Sequence, residues 1–270
     1  MPAQPLRQPT FYIPHGAGPC FFMQWDPPHE WDNMASFLRS IASTLPETPQ
    51  AIVMVSAHWR TSKVSVTGAA NPKLYYDYNN FPAHTYQLQY PAPGHPQLAQ
   101  QVARLLTQQG ITTEIDSQRG FDHGMFIPLK LMFPKANIPV VQLALHNSLD
   151  AEMHTTIGKA MASLRDEGVL IIGSGMSFHN MQGYGNSRFG PISEEFDAWL
   201  TSAVESPAEE RTALLNRWFT APQARQCHPA GKEEHLIPLH VAAGAAYADV
   251  GQRIFSDCVL ATTISAYRFG

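Results

Sequence analysis

Val169–Asn180 reads VLIIGSGMSFHN. Four apolar residues run into a Gly/Ser turn, and His179 follows the turn. A run that is apolar at every position suits a strand covered on both faces by other layers. Three other stretches have the same make-up: Thr10–Ile13, running on to His15; Ala51–Val55, running on to His58; and Ile138–Leu145, running on to His146. Between these runs lie helical patterns. Trp31–Leu45 places Met34, Phe37, Leu38, Ile41 and Leu45 on one stripe. Gln97–Gln109 and Ala151–Glu167 each stop at a glycine, the usual residue just past a helix end. Further helices are expected over Ser193–Val204, Ala208–Phe219 and Glu233–Ala248, and an edge strand over Val259–Arg268. Strands alternating with helices predict an α/β fold, a single domain with a mostly parallel central sheet flanked by helices. A short tail over residues 1–9 precedes one domain over 10–270.

In open α/β sheets, ligands bind beyond the carboxyl ends of the strands. His15, His58 and His179 are all delivered to that edge. His146 shares the pattern and shows that it also arises by chance, so it is set aside. His123 sits in RGFDHGMF between two glycines, ahead of a helix expected over Met125–Phe133. His235 lies in KEEHLIPLHVA beside Glu234, in the expected first turn of the last helix. His240 is five residues on, about 140° around a helix, and is expected to be structural. Neutral imidazoles with at most one carboxylate suit zinc, iron or copper rather than magnesium or calcium. HExxH and GxSxG are absent, and GSGMS at Gly173–Ser177 has no Walker lysine after it, so a phosphate cradle there is weakly supported.

Composition narrows the classes. Of 270 residues 44% are hydrophobic and only 15% charged, against about 25% in an average domain. The net charge is −4, so no basic excess points to nucleic acid or an anionic membrane. No apolar run approaches the ~18 residues of a membrane span. Cys20, Cys227 and Cys258 form no CxxC pair, and the N-terminus has no apolar signal core, which together suggest a cytoplasmic protein. The tyrosine- and proline-rich stretch 71–96 is either a lid or a surface excursion packed by its own tyrosines.

The motifs HGAGP at His15, VSAHW at Val55, YPAPGHPQLA at Tyr90, GFDHG at Gly120, GSGMSFHN at Gly173 and EHLIPL at Glu234 resemble those of the class III extradiol ring-cleaving dioxygenases. The DOPA 4,5-dioxygenase type is the nearest branch. The resemblance runs from about Thr10 to Ala246. It implies a non-haem Fe(II) enzyme that inserts O2 into a small aromatic diol next to its two hydroxyls, with Zn2+ as another occupant of the same pocket. By the same resemblance His15, His58 and His235 are metal ligands. His179 is a catalytic acid/base near the metal or a fourth ligand, and His123 is a catalytic residue that bonds oxygen or substrate. Glu234 rivals His235 as the ligand, because two histidines and a carboxylate are a common iron triad. Trp59, Phe126 or Tyr76 are candidates for an aromatic wall, with Phe126 more simply read as core. The chain departs from the family where GHGSP becomes PHGAGP and where HDFxGFP becomes YDYNNFP at Tyr76–Pro82. Both changes bear on substrate choice rather than on the metal. A zinc-dependent hydrolase and a non-catalytic metal- or small-molecule-binding protein are the alternatives. Oligomeric state is left open by the sequence.

Overall fold

A computed structural model of the protein describes residues 5–270. Its strands are β1 (Thr10–Pro14), β2 (Ala51–Thr61), β3 (Val64–Thr67), β4 (Thr113–Asp116), β5 (Val140–His146), β6 (Val169–Gly175), β7 (Gly251–Val259) and β8 (Thr262–Phe269). They form one sheet in the order β4-β3-β5-β2-β6-β1-β8-β7. β5, β2, β6 and β1 run parallel, with Ile52 opposite Val140 and Leu170, and Phe11 opposite Ile172. β8 adds antiparallel to β1, and β7 antiparallel to β8.

The helices are α1 (Asp32–Ser40), α2 (Pro96–Gln108), α3 (His123–Met132), α4 (Ala151–Met161), α5 (Phe189–Glu205), α6 (Ala208–Asn216), α7 (Ala224–Cys227) and α8 (Ile237–Ala246). Alternate residues of the parallel strands face opposite layers, as a two-residue period requires. Phe11, Ile13, Met54 and Ile172 pack with Leu38, Phe126 and Phe196. Val53, Val55, Leu143 and Ile171 pack with Val102, Ile157 and Val241 on the other side. Both faces are covered, which is why the strand sequences carry no polar alternation.

Several boundaries differ from the sequence reading. The expected helix Trp31–Leu45 is α1 followed by a 3-10 segment, Ile41–Thr44. Ala151–Glu167 likewise divides after Met161 and ends at Gly168, whose φ is +77°. α2 begins at Pro96 because Nδ1 of His95 accepts the Leu98 N–H (3.2 Å) and caps it. α8 begins only at Ile237, so Glu234 and His235 lie in the preceding turn and not on the helix. The expected edge strand is β8, which lies inside the sheet; β7 is the edge, and its half-exposed, polar-rich sequence hid it. β3 and β4, four residues each, were too short to read. Of the expected tail, residues 1–4 lie outside the described residues. Gln8 is buried, its N–H donating to the Arg165 carbonyl (3.1 Å). Among the described residues no helix is long and apolar enough to cross a membrane.

Candidate metal centre and its cavity

Five histidines converge at the carboxyl ends of the parallel strands, and each has a local reason for its place. β1 delivers His15, and its N–H donates to the Gly175 carbonyl (3.2 Å) at the end of neighbouring β6. β2 loses register with β5 between Val55, opposite Leu143, and Arg60, opposite Leu145. This irregularity lifts His58 out of the ladder and re-aims it, a common use of bulges beside functional sites. Ser56 holds the bulge: its Oγ accepts the His58 N–H (3.1 Å) and donates to Oδ1 of the buried Asp122 (2.7 Å). His123 opens α3, and Oδ1 of Asp77 accepts from both its backbone N–H (2.9 Å) and its Nδ1 (2.8 Å). The His235 carbonyl is pinned by Tyr12 Oη (2.6 Å) and the Met176 N–H (3.1 Å). That carbonyl lies so close to Gly175 that a Cβ there would sit 1.9 Å from it, so only glycine lets the turn rest on the strand.

His15, His58 and His235 each offer a nitrogen, all within 4.8 Å of one another. Their ring centroids are 4.8 Å (His15–His58), 5.2 Å (His15–His235) and 4.9 Å (His58–His235) apart. Ser174 sets the tautomer of His15. Its Oγ donates to the Gly124 carbonyl (2.5 Å), so it accepts from Nδ1–H of His15 (3.0 Å) and leaves Nε2 bare. Oδ2 of Asp77 lies 3.7 Å from Nδ1 of His58, beyond hydrogen-bond distance, and its charge favours a proton on that nitrogen. The two Nε2 atoms are 3.0 Å apart. Two nitrogens each about 2.1 Å from one ion sit about 3 Å apart when the angle between them is about 90°, so the spacing suits two ligands of one metal. Nδ1 of His235 is buried with no hydrogen-bond partner among the described residues, 3.6 Å from Oε1 of Glu234. The residues therefore fit a metal ion.

The electrostatics agree. Burial, then the charges of neighbouring histidines, holds His15 and His235 well below the ordinary imidazole value. Burial and His123 do the same for His58 against the opposing pull of Asp77. Burial pushes His179 down to about 4. All four rings are neutral at pH 7 and have lone pairs to give. Burial raises the Asp77 carboxyl, but its hydrogen bonds and the charges of His123 and His58 outweigh this and leave it below the usual carboxylate range.

His179 is not part of the His15–His58–His235 group. It stacks on His235 with centroids 3.4 Å apart and planes 11° apart, and it groups with Glu234 and His235 instead. Glu234 faces Arg60 (3.4 Å) and stands outside the three-histidine group, so the geometry prefers His235 to Glu234. Nε2–H of His240 donates to the Leu215 carbonyl (3.0 Å), a structural contact as expected. His146 contacts Ser148 and the Ser62 carbonyl away from the cluster. Gly173–Ser177 is no phosphate cradle, since Ser174 is engaged with His15 and Gly124.

A cavity of about 360 Å³ opens over the five histidines, within the range of small-molecule sites. Its aromatic walls are Trp25, Trp31, Phe81 and Tyr184. The expected wall residues are elsewhere: Trp59 lies beneath the Arg119 guanidinium, Tyr76 donates to the Leu88 carbonyl (2.6 Å), and Phe126 is fully buried core. Segment 71–96 is packed by its own tyrosines, with Tyr78 and Tyr86 rings 5.2 Å apart, yet it also supplies Phe81 and Asp77 to the site. Asp77 was missed from sequence; its signal was a lone acid within the aromatic run YDYNNFP.

A model of the family described as the catalytic LigB subunit of aromatic ring-opening dioxygenase matches residues 9–269. The chain is 40% identical over 241 residues to the 4,5-DOPA dioxygenase extradiol of Beta vulgaris, covering 88% of this chain and 86% of that protein. It is 35% identical over 285 residues to dioxygenase tasH of Hapsidospora irregularis, covering 97% and 85%. The crystal structure of an uncharacterized protein from Escherichia coli K12 superposes with a TM-score of 0.78 at 28% identity, covering 98% of this chain and 100% of that one.

Proposed function

The chain belongs to the family of catalytic LigB subunits of aromatic ring-opening dioxygenases, and from that premise we propose that it opens a catechol next to its two hydroxyls at Fe(II) held by His15, His58 and His235. One observation carries the ligand set: two imidazoles bring their Nε2 atoms within 3.0 Å of each other, with a third imidazole beside them. Three neutral nitrogen donors suit iron or zinc, and the oxygen chemistry of the family favours iron.

When bound, Fe(II) supplies Lewis acidity to the catechol hydroxyls and a redox-active meeting point for ring and O2. The protein supplies the rest. Ser174 and Asp77 hold the His15 and His58 rings in the tautomers that leave Nε2 free. His179, neutral and lining the cavity, takes a catechol hydroxyl proton and later returns it to the opened product. Asp77 fixes His123 through Nδ1, leaving its other ring nitrogen for an oxygen of the substrate. Trp25, Trp31 and Phe81 receive the ring and exclude water. The unpaired thiols of Cys20, Cys227 and Cys258 support a cytoplasmic setting.

The test is oxygen uptake by protein loaded anaerobically with Fe(II), against a panel of catechols. Uptake matched one-to-one by a yellow ring-opened product is expected. Bound iron without uptake for any catechol rejects the proposal, and hydrolysis by the zinc form alone would replace it.

A further inference from the structure

Fifteen residues line the cavity over the histidines, and none of those described is Lys, Arg, Asp or Glu. Its polar side chains are the five histidines of the floor, the indoles of Trp25 and Trp31, with Nε1 of Trp31 buried and without a hydrogen-bond partner among the described residues, and Tyr184, whose hydroxyl is already committed to the Phe178 carbonyl (2.8 Å). Beyond the floor, Trp25, Trp31, Phe81, Met176, Met181 and Leu260 make an uncharged wall. An ammonium or carboxylate carried into that wall loses its water and meets no opposite charge in the lining, only aromatic faces and one free indole N–H, which repay part of the lost hydration. Lys232, whose charge reaches His179, is exposed on the turn before α8 and lies outside the lining.

Leu260 is placed there against backbone preference. It and Ala261 form the two-residue turn between β7 and β8, with φ +48° and +63°. Such turns favour Asn-Gly, and leucine in the left-handed region is strained. The neighbours hold it in place: the Leu260 N–H donates to Oε1 of Glu30, and its carbonyl accepts the Gly185 N–H (2.7 Å). The turn so held keeps the Leu260 side chain in the cavity lining.

We propose that the ring substituent of the substrate is uncharged and apolar, and that Leu260 packs against it and determines that specificity. This rests on the catechol-opening reading of the same site. Each substituent methylene buried against the wall is worth about fourfold in affinity.

Two measurements on the Fe(II) holoenzyme decide it. The first is kcat/KM for catechol, 4-methylcatechol, 4-ethylcatechol and DOPA, a zwitterionic catechol. The expected order rises about fourfold from catechol to methyl and again to ethyl, with DOPA at least tenfold below ethyl. The second is anaerobic calorimetry with the same compounds, which reads the binding order without turnover. The variant Leu260→Asn keeps a residue that tolerates the left-handed turn, so the melting temperature is expected to hold or rise. Its ethyl-to-hydrogen ratio is expected to fall towards one. DOPA as the best ligand overturns the proposal while leaving catechol opening intact, and loss of that preference in Lys232→Ala would then identify the anchor. An unchanged ethyl-to-hydrogen ratio in Leu260→Asn overturns the role of Leu260. Alkylcatechols that bind in the expected order but are never opened reject the reaction and not the pocket chemistry.

Discussion

His179 lies flat on His235, ring centroids 3.4 Å apart and planes 11° apart, while only His235 shares the nitrogen cluster of His15 and His58. The two rings are neighbours with separable duties. His179→Ala is expected to retain iron within about tenfold of the parent affinity and to lower kcat by about 10²–10⁴, the usual scale for a lost general acid/base. His235→Ala is expected to lose both. Metal analysis beside an oxygen electrode separates the cases, and loss of iron in His179→Ala would make His179 a ligand.

Asp77 and Glu234 are the two carboxylates nearest the cluster, and they are expected to differ. Asp77 holds His123 and faces His58, whereas Glu234 faces Arg60. Asp77→Asn is expected to weaken iron binding by about 10–100-fold, as loss of a group that orients a ligand does. Glu234→Gln is expected to leave iron content near that of the parent. Equilibrium metal titration checks both, and a Glu234→Gln protein without iron would restore the carboxylate as a ligand.

The stability of the metal-free protein is expected to depend on pH through histidines buried in the neutral form. Burial pushes His154 down to about 4 and His228 to about 3, against an unfolded value near 6.5. Between pH 6.5 and 4 the unfolded chain binds protons that the folded chain refuses. Stability is therefore full above about pH 7 and falls as pH drops, by up to about 1.4 kcal/mol per pH unit for each such histidine. Calorimetric melting of the apo protein from pH 8 to 4 reads this directly; a flat profile would contradict it.

Gly175→Ala tests the seat of His235. The added Cβ would meet the His235 carbonyl at 1.9 Å, and neither backbone can yield cheaply. A loss of roughly 1–3 kcal/mol or more in stability is expected, together with weaker iron binding. Denaturant unfolding and metal titration on one preparation measure the two effects, and a variant that kept both would mean the turn is free to move.

The architecture was legible because burial writes itself into local composition. Thr10–Ile13, Ala51–Val55 and Val169–Ile172 lie within strands β1, β2 and β6, since a strand covered on both faces has no polar period to hide behind. Parallel strands end at one edge, and of the histidines that follow them His15, His58 and His179 meet over one cavity, whereas His146, after β5, does not. Side-chain direction was not legible. Whether His235 or Glu234 turns inward depends on the Tyr12 hydroxyl and the Met176 amide that grip one carbonyl, and these residues lie far apart in the chain. The same holds for Asp77, brought to His123 by a long loop, and for Trp25, Phe81 and Leu260, which reach one cavity from three separate turns. The sequence alone determined the layered sheet and the histidines at its edge, because apolar runs and their ends are local properties. Only the tertiary structure decided which nitrogens face one another and what lines the space above them, because those follow from long-range hydrogen bonds and close contacts that leave no periodic trace in the sequence.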